Sequence, residues 1–315
     1  MNEINMENRT SKKIIFIIFL INILFFNSNL KSFENKIIYK IENQILTSID
    51  LKNEINYLTA LNPNLKKLNK NEIIEISKKS LVKDKIKEIE IIKNFKNPIV
   101  PEDLLMQLIK NIYNKIGFTE LEVFKQYLQL NQVSYDNVLN KIQNEALWNE
   151  LIIAKFSNKI KIDTEQLRRN IKKNTKSYLL SEILFEVQPN QNLEQKFKEI
   201  SQTINDKGFG NAALKYSISE TANIGGKLDW INEKSLNNNI NNILNSLEKN
   251  KFTKPITVPG GFLILQVNNI KTTQLKNNID KELKKIIRES KNYQYNQFSK
   301  LYFNRIKKDM EINEI

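Results

Sequence analysis

The chain has 315 residues, enough to bury a sizeable core and to divide into two domains. Its 49 Lys and Arg exceed 35 Asp and Glu, a formal +14, but they interleave with acids, as in Lys83-Asp84-Lys85-Ile86-Lys87-Glu88, and no base-reading motif accompanies them; this is the pattern of a solvated helix face, and no nucleic-acid partner is expected. With no Cys and no His, a thiolate nucleophile, a Ser-His-Asp triad, a Cys/His zinc centre, a disulfide framework and a lipidated cysteine anchor are excluded, and neither metal nor cofactor is expected.

Arg9, Lys12 and Lys13 precede the apolar run Ile14 to Phe26, after which Asn27-Ser28-Asn29 restores polarity. A basic stretch before roughly 13 apolar residues fits a secretory signal and falls short of the ~20 that span a bilayer. Residues 1–30 are therefore expected to be a signal peptide; left uncleaved, the same run would serve as a membrane anchor. Ile37 to Leu46, interrupted by Glu42-Asn43-Gln44, predicts two short strands in a hairpin, and Thr47-Ser48 with Asp50 a helix start. Amphipathic helices are predicted over 49–60, 71–95, 102–116, 119–130 and 135–159, with breaks at Pro63, at Pro98 and Pro101, and at Gly117. A further basic helix is expected from Asp163 to about Lys173.

Near Ser177 the pattern changes. Tyr178 to Val187 reads as a strand, 192–205 as a helix and Gly261 to Val267 as a second strand. All but one of the seven Gly residues lie between Gly208 and Gly261, which places the tight turns in this segment. From Thr273 to Ile312 helix is predicted again. Several of its aromatics, Tyr293, Tyr295, Phe298, Tyr302 and Phe303, share one face; packing on the earlier helices is the simpler reading and a client-binding strip the alternative. The expected fold class is α+β: a helical body of residues 31–176 with a returning helix at 274–315, and an inserted α/β domain over 177–273.

Ile41-Glu42-Asn43-Gln44-Ile45-Leu46-Thr47-Ser48-Ile49-Asp50, then Phe118 to Leu130, Val133-Ser134-Tyr135, Trp148, Leu151 and Asp163-Thr164-Glu165-Gln166-Leu167 resemble the opening hairpin and core helices of the SurA family of periplasmic chaperones. Within the insert, Phe209-Gly210-Asn211-Ala212-Ala213-Leu214-Lys215-Tyr216-Ser217 and Gly225-Gly226-Lys227-Leu228-Asp229-Trp230 are similar to the signature of its parvulin module, the PpiC-type peptidyl-prolyl isomerase. The similarity covers almost everything after Ile37 and leaves room for one such module, where family members often carry two.

The resemblance implies a periplasmic, ATP-independent holdase for unfolded outer-membrane or other exported polypeptides, which it would hand to the outer-membrane assembly machinery. An adaptable crevice with apolar patches would hold such clients without selecting one sequence. No nucleotide is implied, since Thr221 stands where a phosphate loop ahead of Gly226-Lys227 would need Gly. Parvulins rotate X-Pro bonds against a barrier of about 18–20 kcal/mol by binding the twisted amide selectively. The family's apolar cup takes the proline ring, while paired His and a Cys or Asp polarise the floor. Position by position, the two His fall on Glu182 and Leu263 and the Cys or Asp near Ser219, so no catalytic residue is assigned. The proline pocket falls on Leu228, Leu236, Ile240 and Phe262, with Ile240 in place of an aromatic and Asp229 in place of the usual Gly beside Trp230. A carboxyl at 182 would be protonated or would oppose the carbonyl. Weak or lost isomerase activity is expected, the alternative being an active isomerase with an unorthodox pocket.

Overall fold

A computed structural model describes residues 35–96, 98–170, 174–274 and 279–315; the expected signal peptide lies outside the described residues. The hairpin forms where the apolar run is interrupted, with β1 (Ile37–Ile41) and β2 (Gln44–Thr47) paired antiparallel. Thr47 then caps α1 (Ser48–Leu61): its hydroxyl accepts from the Asp50 amide and its own amide donates to the Asp50 carboxylate at 2.7 Å. Asn69 and Glu72 repeat this reciprocal cap at the start of α2 (Lys70–Asn94). The body continues through α3 (Glu102–Lys115), α4 (Leu121–Leu130), α5 (Tyr135–Phe156) and α6 (Thr164–Asn170). These agree with the predicted helices to within a few residues, because Pro63, Pro98, Pro101 and Gly117 break the chain where expected.

The next segment contains β3 (Asn174–Phe185), α7 (Leu193–Lys207), α8 (Phe209–Tyr216), β4 (Lys227–Asn232), α9 (Asn238–Asn245), β5 (Ile256–Val258) and β6 (Gly261–Gln274). Its strands form an antiparallel sheet in the order β4-β3-β6-β5. The β3–β6 ladder extends through the backbone pairs Asn174↔Gln274 and Thr175↔Thr273, so the sheet overruns the expected 177–273 limits. Alternation along the strands makes two cores. Tyr178, Leu180, Leu184, Leu263, Leu265 and Val267 face α9, whereas Ile183, Phe185 and Ile264 face α7 and α8. Two glycines permit the close passes around β3: a Cβ on Gly226 (φ 74°) would stand 2.2 Å from the Glu182 carbonyl oxygen, and one on Gly261 (φ 134°) 2.4 Å from that of Phe185.

The last helix, α10 (Ile279–Asp309), is shorter than the predicted 273–312 span. At Thr273, where helix is expected to begin, the chain is still in β6, and after Asp309 Ile312–Glu314 forms β7, which pairs antiparallel with β1 and completes a second sheet of order β2-β1-β7. Tyr295, Phe298, Tyr302, Phe303 and Ile306 of α10 pack into the body core around Trp148. The Phe156 and Phe298 rings stack at 4.9 Å, Trp148 lies 5.9 Å from Tyr302, and the Trp148 indole donates to Ser299 Oγ at 2.8 Å. Packing, the simpler reading of these aromatics, is what the structure has; Tyr293 alone sits on another stripe of the helix.

The α/β lobe is seated on the body. Leu214 of α8 packs among Leu58, Leu65, Leu68 and Ile76, and residues 37–315 cluster as a single unit. Beside Leu214, Glu72 accepts from Lys207 at 2.7 Å and Lys215 at 3.0 Å. The Lys207 hydrogen bond is the main reason the Glu72 carboxyl falls from 4.5 to about 2; burial opposes it, and the Asn69 amide and Lys215 reinforce it.

The folded chain binds the Glu72 proton less readily than the unfolded one, so this latch contributes stability above the ordinary carboxyl range that is lost as pH falls toward about 2. Urea midpoints measured between about pH 6 and about pH 3 should therefore fall more steeply for the wild type than for Glu72→Gln, and parallel curves would refute the latch. In the same assay at neutral pH, Trp148→Ala should cost about 3–5 kcal/mol. A loss under about 1 kcal/mol would show that α10 is anchored elsewhere.

Candidate functional site

Glu182 lies between Leu180 and Leu184 on β3, so its side chain shares their face of the sheet and is buried there. One carboxylate oxygen accepts a short hydrogen bond from Ser219 Oγ and a second from Thr221 Oγ1 at 3.0 Å. The other faces Lys300 Nζ of α10 at 3.6 Å, and Lys300 is itself 7% exposed. Ser219 is held in place by capping the 3-10 turn Glu220–Ile224. Tyr293, which lies on the same stripe of α10 as Lys300, has its hydroxyl pKa pushed up by burial and, less strongly, by the Glu182 charge.

Two of the three floor positions, Glu182 and Ser219, thus meet, while Leu263 lies buried in the apolar cluster with Leu184 and Leu265. The sequence expectation for Glu182 lacked a counter-charge; Lys300 supplies one from the last helix. The Ser219 hydroxyl is spent on Glu182, and Leu263 has nothing to donate, so these three offer no donor to a rotating prolyl carbonyl. Of the proposed pocket residues, Leu228, Leu236 and Ile240 gather in one cluster, with Ile240 1% exposed. Phe262 does not join them. As the strand neighbour of Leu263 it points to the opposite face, where its ring lies 5.8 Å from Phe185.

A second candidate lies in the body, where a crevice of about 870 Å³ opens between α1, α2, α3 and α5. Glu54 and Asp84 both bond Lys141, at 2.7 Å to Glu54 and by a shorter contact to Asp84, and the ammonium lies 4.8 Å from the Tyr57 ring. Burial pushes the Glu54 carboxyl pKa up against the influence of Lys141. Burial would lower the Lys141 ammonium pKa, but Asp84 and Glu54 outweigh it and hold it far above the ordinary range. Lys87, 1% exposed, bonds both Glu145 oxygens at 2.8 and 2.9 Å. Apolar side chains, among them Leu46, Leu81, Leu108 and Ile112, share the walls about equally with polar groups. Asn53, Asn111, Asn137, Asn140, Asn144 and Asn149 line them, and no hydrogen bond among the described residues occupies these carboxamides.

The sequence reading missed Glu54, Lys141, Thr221 and Lys300. A signal existed for Glu54, an acid standing on the apolar stripe Leu51, Leu58 and Leu61 of α1. None existed for Lys300, one of many lysines on a mixed helix.

Residues 183–269 match the rotamase family, the PPIC-type PPIASE domain. The chain is 22% identical over 181 residues to Chaperone SurA of Pseudomonas putida, a match covering 53% of this chain and 42% of that protein. It is likewise 22% identical over 181 residues to Chaperone SurA of Pseudomonas aeruginosa, covering 53% and 43%. The chain spans about two fifths of the length of the curated relatives it matches. Among solved structures, a SurA-like chaperone of Campylobacter jejuni is similar at 14% identity, with a TM-score of 0.34 and coverage of 89% of this chain and 99% of that one. The likeness to SurA chaperones with one PpiC-type module, read first from sequence, is therefore present, and the fold is α+β.

Removing one partner of a buried ion pair strands the other charge. Lys300→Met should therefore cost about 3–5 kcal/mol in urea unfolding, and adding Glu182→Gln should return most of it. Additive losses in the double variant would show that the two side chains do not interact.

Proposed function

We propose that this chain is an ATP-independent holding chaperone of the periplasm for unfolded exported polypeptides, with outer-membrane proteins as clients and their assembly machinery as recipient. The observation that carries this reading is the crevice of the helical body, whose wall carboxamides are open to a ligand. A carboxamide donates and accepts as a peptide group does, so a row of them meets an extended main chain irrespective of its sequence, while Leu46, Leu81, Leu108 and Ile112 take up apolar side chains. The likeness to SurA chaperones supports the same reading, and the basic and apolar stretches at Arg9 to Phe26 support export.

In this proposal residues 31–176 and 274–315 make the holding module and 177–273 the parvulin-like module. The latter has weak or no isomerase activity, because Glu182 and Ser219 are engaged with each other and with Lys300 rather than free for substrate. It serves instead as a brace between α2 and α10. The second reading, an active peptidyl-prolyl isomerase, is favoured by the gathering of Leu228, Leu236 and Ile240 in one cluster.

Two assays on the full chain separate these readings. Light scattering of a urea-diluted outer-membrane barrel should be suppressed at near-stoichiometric chaperone, while a prolyl tetrapeptide isomerises at its uncatalysed rate. Rapid isomerisation that is lost in Leu236→Ala, without suppression of aggregation, would establish the enzyme and overturn the holdase.

A further inference from the structure

We infer that the body crevice seats a basic side chain of the bound polypeptide, a lysine ammonium or arginine guanidinium, against Glu54. The inference rests on the reading of the crevice as the client groove. Glu54 is 1% exposed and lines the crevice; Lys141 bonds its Oε2 and the Ser80 hydroxyl lies beside the carboxyl, yet Oε1 has no partner in hydrogen-bond geometry. A buried acceptor left without a donor costs about 1–3 kcal/mol, more for a charged group, so a ligand that supplies the donor recovers that cost.

Charge points the same way. Glu54 and Asp84 together face Lys141, two carboxylates on one ammonium. Of the other cations lining the crevice, Lys87 pairs with Glu145 and Lys85 with Glu88 at 2.7 Å, and Lys115 offsets Asp50 in the charge count. Asp50 is engaged by the α1 cap. The crevice floor therefore has one acceptor and one negative charge unmet. A metal ion is a poor occupant, since calcium or magnesium needs several oxygen ligands and here an ammonium already stands between the two carboxylates. A basic side chain needs only one oxygen and can arrive on a backbone held by the wall carboxamides. The preference must be local, because a chain of formal +14 repels basic segments at long range.

Fluorescence anisotropy on the full chain tests this with labelled extended peptides that differ at one central position: lysine, acetyl-lysine or norleucine. The lysine peptide should bind at least ~10-fold tighter than the other two, about 1.4 kcal/mol. In Glu54→Gln the preference should shrink to within about twofold, while the norleucine peptide binds as before. Asn137→Arg provides a second variant, since it stands one turn from Lys141 on α5, and its guanidinium should compete for Glu54 and remove the preference even if the Glu54 variant fails to fold. Equal affinity of the three peptides for the wild type overturns this inference and leaves the groove reading intact. Undiminished lysine preference in Asn137→Arg also overturns it. Binding of none of the peptides overturns the groove reading itself.

Discussion

The rest of the structure depends on α10, a helix with two buried stripes rather than one. Tyr295, Phe298, Tyr302 and Ile306 recur at helical spacing and close the body core over Trp148. A different stripe, Glu289, Tyr293, Lys300 and Asn304, turns to the lobe: Glu289 accepts from the Asn232 amide and the Ser235 hydroxyl, each at 3.0 Å, Lys300 meets Glu182, and Asn304 donates to Glu186 at 2.9 Å. The stripe facing the body is mainly apolar, with hydrogen bonds from Trp148 to Ser299 and from Tyr302 to Glu90, and the stripe facing the lobe is polar. Because one rigid helix carries both, the lobe and the body share a single scaffold even though the lobe interrupts the body in sequence.

This arrangement bears on the positions that the resemblance assigns to a parvulin floor. A buried carboxylate on an apolar strand face is costly without a partner. At position 182 that partner is Lys300, with the Ser219 and Thr221 hydroxyls filling the remaining acceptor sites of the same carboxylate. Glu182, Ser219 and Thr221 thereby hold the lobe against the last helix through Lys300. The same pressure acts at Glu72, where two lobe lysines converge on one carboxylate beside the buried Leu214. Polar groups at this junction fix orientation, and the small apolar contact around Leu214 contributes the area.

The elements with local signatures were legible in the sequence. The Thr47/Asp50 cap, the proline-bounded helices and the Gly-rich turns around β4 and β6 all announce themselves within a few residues. What was not legible depends on distant partners. The three residues of β7 have no period of their own and become a strand only because β1 offers a free edge. Phe262, placed in the pocket by the resemblance, neighbours Leu263 on β6, and strand alternation sends the two side chains to opposite faces. Lys300 and the crevice asparagines were hidden by composition: in a chain crowded with Lys and Asn, no single one stands out until the fold brings it to a carboxylate or a groove.

That composition bears on how a holding chaperone without nucleotide could let go of its client. A purely apolar cradle gains about 25 cal/mol for each Å² it buries and would grip any unfolded chain the harder the more surface it covered. A groove walled by carboxamides exchanges water hydrogen bonds for peptide ones, at a net gain of only about 0.5–1.5 kcal/mol each, so affinity grows slowly with contact length. The groove's apolar side chains, among them Leu46, Leu81, Leu108 and Ile112, share its walls with these amides, so only part of the contact surface grips in the apolar way. Under the proposed function, moderate binding of this kind permits handover by competition alone. A charged anchor at Glu54 would add register along the client chain without adding enough apolar grip to trap it.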